Sequence, residues 1–263
     1  MPFVIARRSI HAVLSSLILT AGPALAQDDA PVVAAAADLK FAVTEIAEAF
    51  KAETGQEVKQ SFGSTGNFAR QIREGAPFQM FMAADEKFVK QLAADGFTRD
   101  EGALYAEGRV VIMVPHGSAL KPDENLDNLA AMLDAGTITR FAIANPEHAP
   151  YGLRAEESLK HRGLWDKVQP HLVLGENVSQ AAQFALSGNA EGGIIAYSLA
   201  LAPEVSAQGT FALIPADWHD PLLQRMVLLK DAGPVAEAFY AYISTPAARA
   251  IMEKYGFVLP WGG

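Results

Sequence analysis

VVAAAADLKFAVTEIAEAF, residues 32–50, changes its period halfway along. Val32 to Ala36 is an unbroken apolar run of small and β-branched side chains, the mark of a strand buried on both faces. Beyond it the large apolar positions fall at Leu39, Val43, Ile46 and Phe50, spacings of four, three and four that line one face of a helix. A strand that feeds a helix through Ala37-Asp38 is half of a strand–helix–strand unit. Gly55 ends the helix, residues 57–62 alternate as a second strand, and a short helix over 68–73 follows. Gly75-Ala76-Pro77 then turns into the apolar run 78–83, and Asp85 stands as an N-cap for a helix through Leu92. This alternation predicts an α/β layer with a mostly parallel sheet.

Residues 109–115 form a strongly apolar strand with no evident partner in what precedes them. A second α/β series starts after it: a strand over 140–144, a helix from about 152 to 161, a strand over 172–174, and a helix from about 179 to 186. Strands over 193–196 and 211–215 complete it. Residues 226–229 repeat the character of 110–114, and two helical patterns close the chain, the second over 247–255. One lobe is therefore interrupted by another. Residues 27–109 and 225–263 build the first, residues 110–224 the second, and the crossings near 109 and 225 read as a hinge. No internal repeat or low-complexity linker appears.

Residues 1–26 carry a different signal. Arg7 and Arg8 make a basic start, residues 10–19 an apolar run, and Ala24-Leu25-Ala26 a small-x-small site. That order is a secretory leader cleaved after Ala26, and its apolar run is too short to span a bilayer. The paired arginines suggest the twin-arginine route, but their flanks suit general secretion better. No other stretch approaches membrane-spanning length, so the product from Gln27 onward is expected to be exported and soluble. Cysteine is absent, which removes thiolate catalysis, cysteine metal sites and a lipid-anchored N-terminus. The net charge is −9; without Arg7 and Arg8 there are 19 basic against 30 acidic residues, or −11. That argues against nucleic acid and anionic membrane surfaces. It does not exclude a small anion, because local donors rather than net charge hold a buried ion.

Four segments place small or polar residues where a strand ends and a helix starts, where unpaired backbone N–H groups and the positive end of the dipole favour an anion. They are Ala36-Ala37-Asp38-Leu39; Gly63-Ser64-Thr65-Gly66-Asn67; residues 145–152 with Pro146, Pro150 and Tyr151; and Glu176-Asn177-Val178-Ser179 together with the strand that ends at Tyr197. Each has a plain structural reading beside the functional one: Asp38 as an N-cap, Ser64 as an ordinary capped turn, Tyr197 as packing. His116, His148, His161, His171 and His219 show no metal-ligand spacing. Glu156-Glu157 suits a solvated helix face better than a catalytic pair, and Trp165, Trp218 and Trp261 are too scattered for a stacking platform.

Taken in order, these segments resemble the periplasmic molybdate-binding proteins of ABC importers over about residues 32–258. The marks are Ala34 to Leu39, Ser61 to Thr65 with Ala69-Arg70-Gln71-Ile72, and Gly75-Ala76-Pro77 with Ala84-Asp85. Pro146 to Pro150, Glu176-Asn177-Val178, Gly193-Ile194 with Tyr197, and Tyr255-Gly256-Phe257 complete them. The resemblance implies a type II two-lobed clamshell working as a monomer in the periplasm beside a membrane permease. It implies molybdate or tungstate as ligand, no cofactor, no metal bound as a cation, and no enzymatic step. Carried across, it implies hydroxyl donors at Thr65 and Ser64, backbone N–H donors at Tyr151 and Val178, and a phenol at Tyr197. The remaining position, usually a serine, falls on Asp38. A carboxylate facing a dianion repels it, so Asp38 is expected to turn its oxygens onto helix N–H groups and offer its own N–H. Asn67 is a candidate for the missing side-chain donor.

Three rivals differ in class. An exported serine hydrolase would use Ser64, but Gly-x-Ser-x-Gly is not matched and no base is evident nearby. A binder of sulfate, phosphate, or a cation through Tyr151 and Tyr197 is the second, and the cation version would want more carboxylates or histidines. A receptor's sensing lobe is the third, without an attached signalling segment.

Overall fold

The structure, a computed structural model, describes residues 1–2 and 30–260. The leader's arginines, apolar run and cleavage site lie outside the described residues, as does Trp261. The chain begins with β1 (Val32–Ala36), a single 3-10 turn (Ala37–Leu39) and α1 (Lys40–Thr54), which Gly55 terminates in the left-handed conformation that glycine tolerates best. Then come β2 (Lys59–Gly63), α2 (Thr65–Arg73), β3 (Phe78–Ala83), α3 (Glu86–Ala94) and β4 (Ala103–Gly108). The chain continues through β5 (Val110–Pro115), α4 (Asp127–Asp134), β6 (Phe141–Ala144), α5 (Pro150–His161) and α6 (Trp165–Val168). Next are β7 (Leu172–Gly175), α7 (Val178–Leu186), β8 (Gly192–Ala196), α8 (Tyr197–Ala200), α9 (Pro203–Ser206) and β9 (Gly209–Leu213). It closes with β10 (Leu222–Leu228), α10 (Pro234–Tyr242) and α11 (Pro246–Lys254).

Among the described residues the strands form two five-stranded sheets, ordered β2-β1-β3-β10-β4 and β7-β6-β8-β5-β9. In the first, β1 runs parallel to β2 and β3, while β10 is antiparallel to β3 and β4. In the second, β6 runs parallel to β7 and β8, while β5 is antiparallel to β8 and β9. The plans match: three parallel strands, an antiparallel strand, then an edge. This is the mixed, two-lobed α/β architecture expected from the alternation of periods.

Details differ from the sequence reading. β5 does have partners, but both lie later in the chain, on β8 and β9. β4 was not anticipated, because its glycine-flanked, mixed-polarity sequence lacks a strand period; it forms the edge of the first sheet beside β10. α4 likewise fills a stretch without a reading. β10 starts at Leu222, ahead of the position read from hydropathy, because Gln224 is polar yet fully buried. The chain passes from the first sheet at Gly108 to the second at Val110 with Arg109 alone between them, and returns between β9 and β10. Phe50 on α1 meets Phe239 and Tyr242 edge-on at 5.3 and 5.4 Å, which ties α10 back to the first lobe.

Candidate functional site

In an open parallel sheet, ligand sites lie beyond the carboxyl ends of the strands. Here the elements that follow β1, β2, β6 and β7, namely the turn at Ala37, α2, α5 and α7, converge on a small cavity between the lobes. Its walls are Ala36, Ala37, Asp38, Gly63, Ser64, Thr65 and Ala84 from one lobe and Ala149, Pro150, Tyr151, Asn177 and Val178 from the other. It is far smaller than the roughly 300–1,000 Å³ of sites for larger organic ligands, so a small ion is the kind of ligand it suits. Among the described residues lining it, none is Lys, Arg or His.

The donors have local causes. Ser64 caps α2, its hydroxyl accepting from the Asn67 N–H at 3.3 Å; Asn177 caps α7 by accepting from the Gln180 N–H at 3.1 Å. Pro150 takes the first position of α5, where its fixed φ fits and its absent N–H is no loss. Tyr151 and Val178 therefore sit in first turns whose N–H groups have no partner within the helix. The Thr65 hydroxyl accepts from the Ala84 N–H at 3.1 Å, so its own proton is free to donate. The helices α2, α5 and α7 add the positive ends of their dipoles.

Asp38 departs from its expected posture. It is 1% exposed and lies within the 3-10 turn, whose cap receives no side-chain hydrogen bond. Instead Asp38 Oδ2 accepts from the Tyr151 phenol at 3.0 Å and from Gln224 Nε2 at 2.7 Å, while Gln224 Oε1 accepts from the Tyr105 phenol at 2.7 Å. Asp38 Oδ1 is buried without a hydrogen-bond partner. Burial pushes the Asp38 carboxyl up to about 6, against the hydrogen bonds from Gln224, Tyr151 and its own backbone N–H that favour its ionised form. Burial, and secondarily the Asp38 charge, raises both phenols well above their usual range, so they stay neutral.

The two lobes are held together around the cavity. Ser64 Oγ lies 2.8 Å from His148 Nδ1, and the Gly66 N–H donates to the His148 carbonyl at 2.9 Å. A Cβ on Gly66 would come within 2.6 Å of that oxygen, so the approach requires glycine. The Asn67 side-chain amide donates to Glu176; Asn67 therefore faces this seam rather than supplying the donor assigned to it from the sequence. The Ser179 and Ser198 hydroxyls donate to the Ala37 and Asp38 carbonyls, each at 2.8 Å. Arg154 Nη2 reaches Asp85 Oδ2 at 3.1 Å, with both side chains buried.

Of the six residues singled out from sequence, Asp38, Ser64, Thr65, Tyr151 and Val178 line the cavity and Tyr197 does not. Tyr197 opens α8, and its ring packs edge-on against Phe211 at 5.7 Å and beside Gly256. The tyrosine that lines the cavity is Tyr151, whose phenol is turned onto Asp38 and Gln224. Gln224 and Tyr105 were missed altogether, since nothing local marks a core glutamine or tyrosine as a site residue. The structure also supplies the base near Ser64 that the sequence did not, namely His148. The Ser64 oxygen also accepts the Asn67 N–H at 3.3 Å and lies 3.2 Å from the His148 carbonyl, so its hydroxyl is engaged in holding the two lobes together.

The chain matches the family described as bacterial extracellular solute-binding protein over residues 31–258. It is 34% identical over 255 residues to the molybdate-binding protein ModA of Rhodobacter capsulatus, covering 95% of this chain and 97% of that one. Against the molybdate-binding protein ModA of Escherichia coli (strain K12) the identity is 35% over 248 residues, covering 91% and 93%. The solved structure of the Azotobacter vinelandii periplasmic molybdate-binding protein aligns with a TM-score of 0.78 at 32% identity, covering 88% of this chain and 100% of that chain.

Proposed function

Since this chain belongs to the bacterial extracellular solute-binding proteins, we propose that its cavity captures molybdate and that the loaded, closed form delivers it to the permease of an ABC importer. The observation that carries this reading is the convergence of neutral donors from both lobes on one small cavity. A buried dianion without a counter-charge needs its oxygens hydrogen-bonded, since an unpaired buried charge costs several kcal/mol. Each bond to a charged group contributes about 1.5–3 kcal/mol, so a handful offsets desolvation and the cost of closure. The backbone N–H groups of Tyr151 and Val178 and the hydroxyls of Thr65 and Ser64 are the proposed donors.

Because these donors sit on rigid helix starts, the cavity radius is set by the fold. That favours the longer metal–oxygen bonds of molybdate and tungstate over sulfate or phosphate. Donors from both lobes make closure and capture one event, with the crossings near residue 109 and ahead of β10 as the hinge, and a permease reads the closed shape. On this reading the protein is a periplasmic monomer exported through residues 1–26, needs no cofactor, and makes or breaks no bond in its ligand.

Calorimetric titration with molybdate, tungstate, sulfate and phosphate at equal ionic strength tests it. One-to-one binding of the first two with no heat from the others is the expected result; silence from all four overturns the reading. Tyr197→Phe is expected to leave molybdate affinity within about twofold, since its ring lies outside the cavity. A tenfold loss would bring its phenol back into the site.

A further inference from the structure

A carboxylate is the wrong group to place in a cavity built for a dianion, and Asp38 is one of its walls. Its two oxygens are unlike. Oδ2 accepts from two neutral donors, the Tyr151 phenol and the Gln224 amide, while buried Oδ1 has no partner. The donors come from both sides of the hinge: Tyr151 from α5 of the second lobe, Gln224 from β10 and Tyr105 behind it from β4 of the first. A Cβ on Gly108, where the chain crosses between lobes, would lie 2.2 Å from the Tyr151 hydroxyl, so this network fills the hinge. Tyr151 thus reaches Asp38 from the other lobe, and the carboxyl it meets is buried.

Resting on molybdate capture as proposed above, we propose that Asp38 enters the closed complex as a neutral carboxylic acid, so that binding the oxyanion takes up a proton. The proton comes from solvent and goes to Oδ1, the oxygen without a partner, converting it from a repelling acceptor into an O–H donor. The departure from a hydroxyl at this position is then no loss of a donor. It makes the donor conditional on pH.

The groups facing Asp38 do not supply the proton or mimic its titration. Tyr151 on α5 and Tyr105 on β4 are phenols held neutral by burial. β10 presents the Gln224 amide, α8 the Ser198 hydroxyl and α7 the Ser179 hydroxyl, none of which titrates. Lys40, at the end of the 3-10 turn, is exposed with its ammonium over the Phe41 ring. The imidazole of His148 stands behind Ser64 at the cavity edge, and a substitution there serves as the control below.

The sign follows from the closed form holding its proton more tightly than an open form, in which Asp38 has ordinary carboxylate behaviour. Closure is helped as pH falls from about 6 toward the usual carboxylate range, and that help is lost as pH rises through about 6. A shift from 3.8 to about 6 makes binding about tenfold tighter at pH 5 than at pH 7. A dianion beside the carboxyl enlarges the effect.

The experiment is titration of the protein with molybdate from pH 5 to 7.5, repeated in buffers of different ionisation enthalpy to count protons. The wild type is expected to take up about half a proton or more per anion at pH 6 and to weaken about tenfold from pH 5 to pH 7. Asp38→Asn, which keeps the shape and offers a permanent N–H, is expected to bind with no proton uptake and no slope, and more tightly than wild type at pH 7. Asp38→Ser is the second variant if the first fails to fold, with the same flat profile expected. His148→Gln is expected to keep the slope. Binding by the wild type with no proton uptake and a flat profile overturns this inference and leaves molybdate capture standing. A slope that survives in Asp38→Asn and vanishes in His148→Gln overturns it in favour of the imidazole. Absence of molybdate binding at every pH overturns the capture reading, and this inference with it.

Discussion

Val178→Pro is expected to weaken molybdate binding by about one to two orders of magnitude while leaving the melting temperature close to that of the wild type. Val178 is the first residue of α7, the position at which proline is best tolerated because its fixed φ suits a helix start and its missing N–H has no partner within the helix. The residue before it is already extended, with Asn177 at φ −150° and ψ 174°, in the region that a following proline requires. Asn177 still caps the helix through the Gln180 N–H. What the substitution removes is one backbone donor at the cavity wall, and an anion oxygen left without it loses about 1.5–3 kcal/mol. Val178→Ala, which keeps the N–H and loses two methyl groups, is the control and is expected to bind within about threefold of wild type. Equal affinities for the proline and alanine variants, measured by calorimetry, would mean that this N–H does not hold the anion.

The contrast between Val178 and Asp38 shows what kind of information is local. A strand that ends in small and polar residues before a helix announces an N–H cluster from a few consecutive positions, so the segments holding Ser64, Thr65, Tyr151 and Val178 stand out from the chain alone. The choice of those four within them comes from the family resemblance. The posture of Asp38 could not be read from the chain, because its partner Gln224 is 186 positions away and reaches it only through the hinge. The same glutamine hid the start of β10, since a polar residue in the core reads as surface to hydropathy. Tyr197 shows the reverse error. A tyrosine one residue past the end of β8 was assigned to the cavity, but the turn into α8 swings its ring toward Phe211 and Gly256. The paired sheets, by contrast, follow from the repeated change between apolar strand runs and helical spacing, which needs no distant partner to be read. β4 escaped because an edge strand of mixed polarity carries neither pattern.

Arg154→Met is expected to cost about 3 kcal/mol of closure, roughly a hundredfold in molybdate affinity, with little change in the stability of the open protein. Arg154 on α5 is 5% exposed and joins Asp85 of the first lobe at 3.1 Å, while its other terminal nitrogen holds Glu157 on its own helix at 2.8 Å. A buried pair is worth little against apolar residues of equal size, but removing one partner leaves the other charge uncompensated. In a two-lobed binder that penalty is avoidable: opening returns Asp85 to water, so the cost falls on the closed state alone. Lys87, whose ammonium lies 3.5 Å from Asp85, softens it and sets the estimate at the low end for an orphaned buried charge. Asp85→Asn added to Arg154→Met is expected to recover most of the affinity, because it removes the stranded charge while the amide oxygen still accepts the Lys87 N–H that starts α3. The double-mutant cycle separates lobe closure from simple loss of packing. A packing defect predicts that the second substitution leaves affinity low or lowers it further, and that result would take this ion pair out of the closing mechanism.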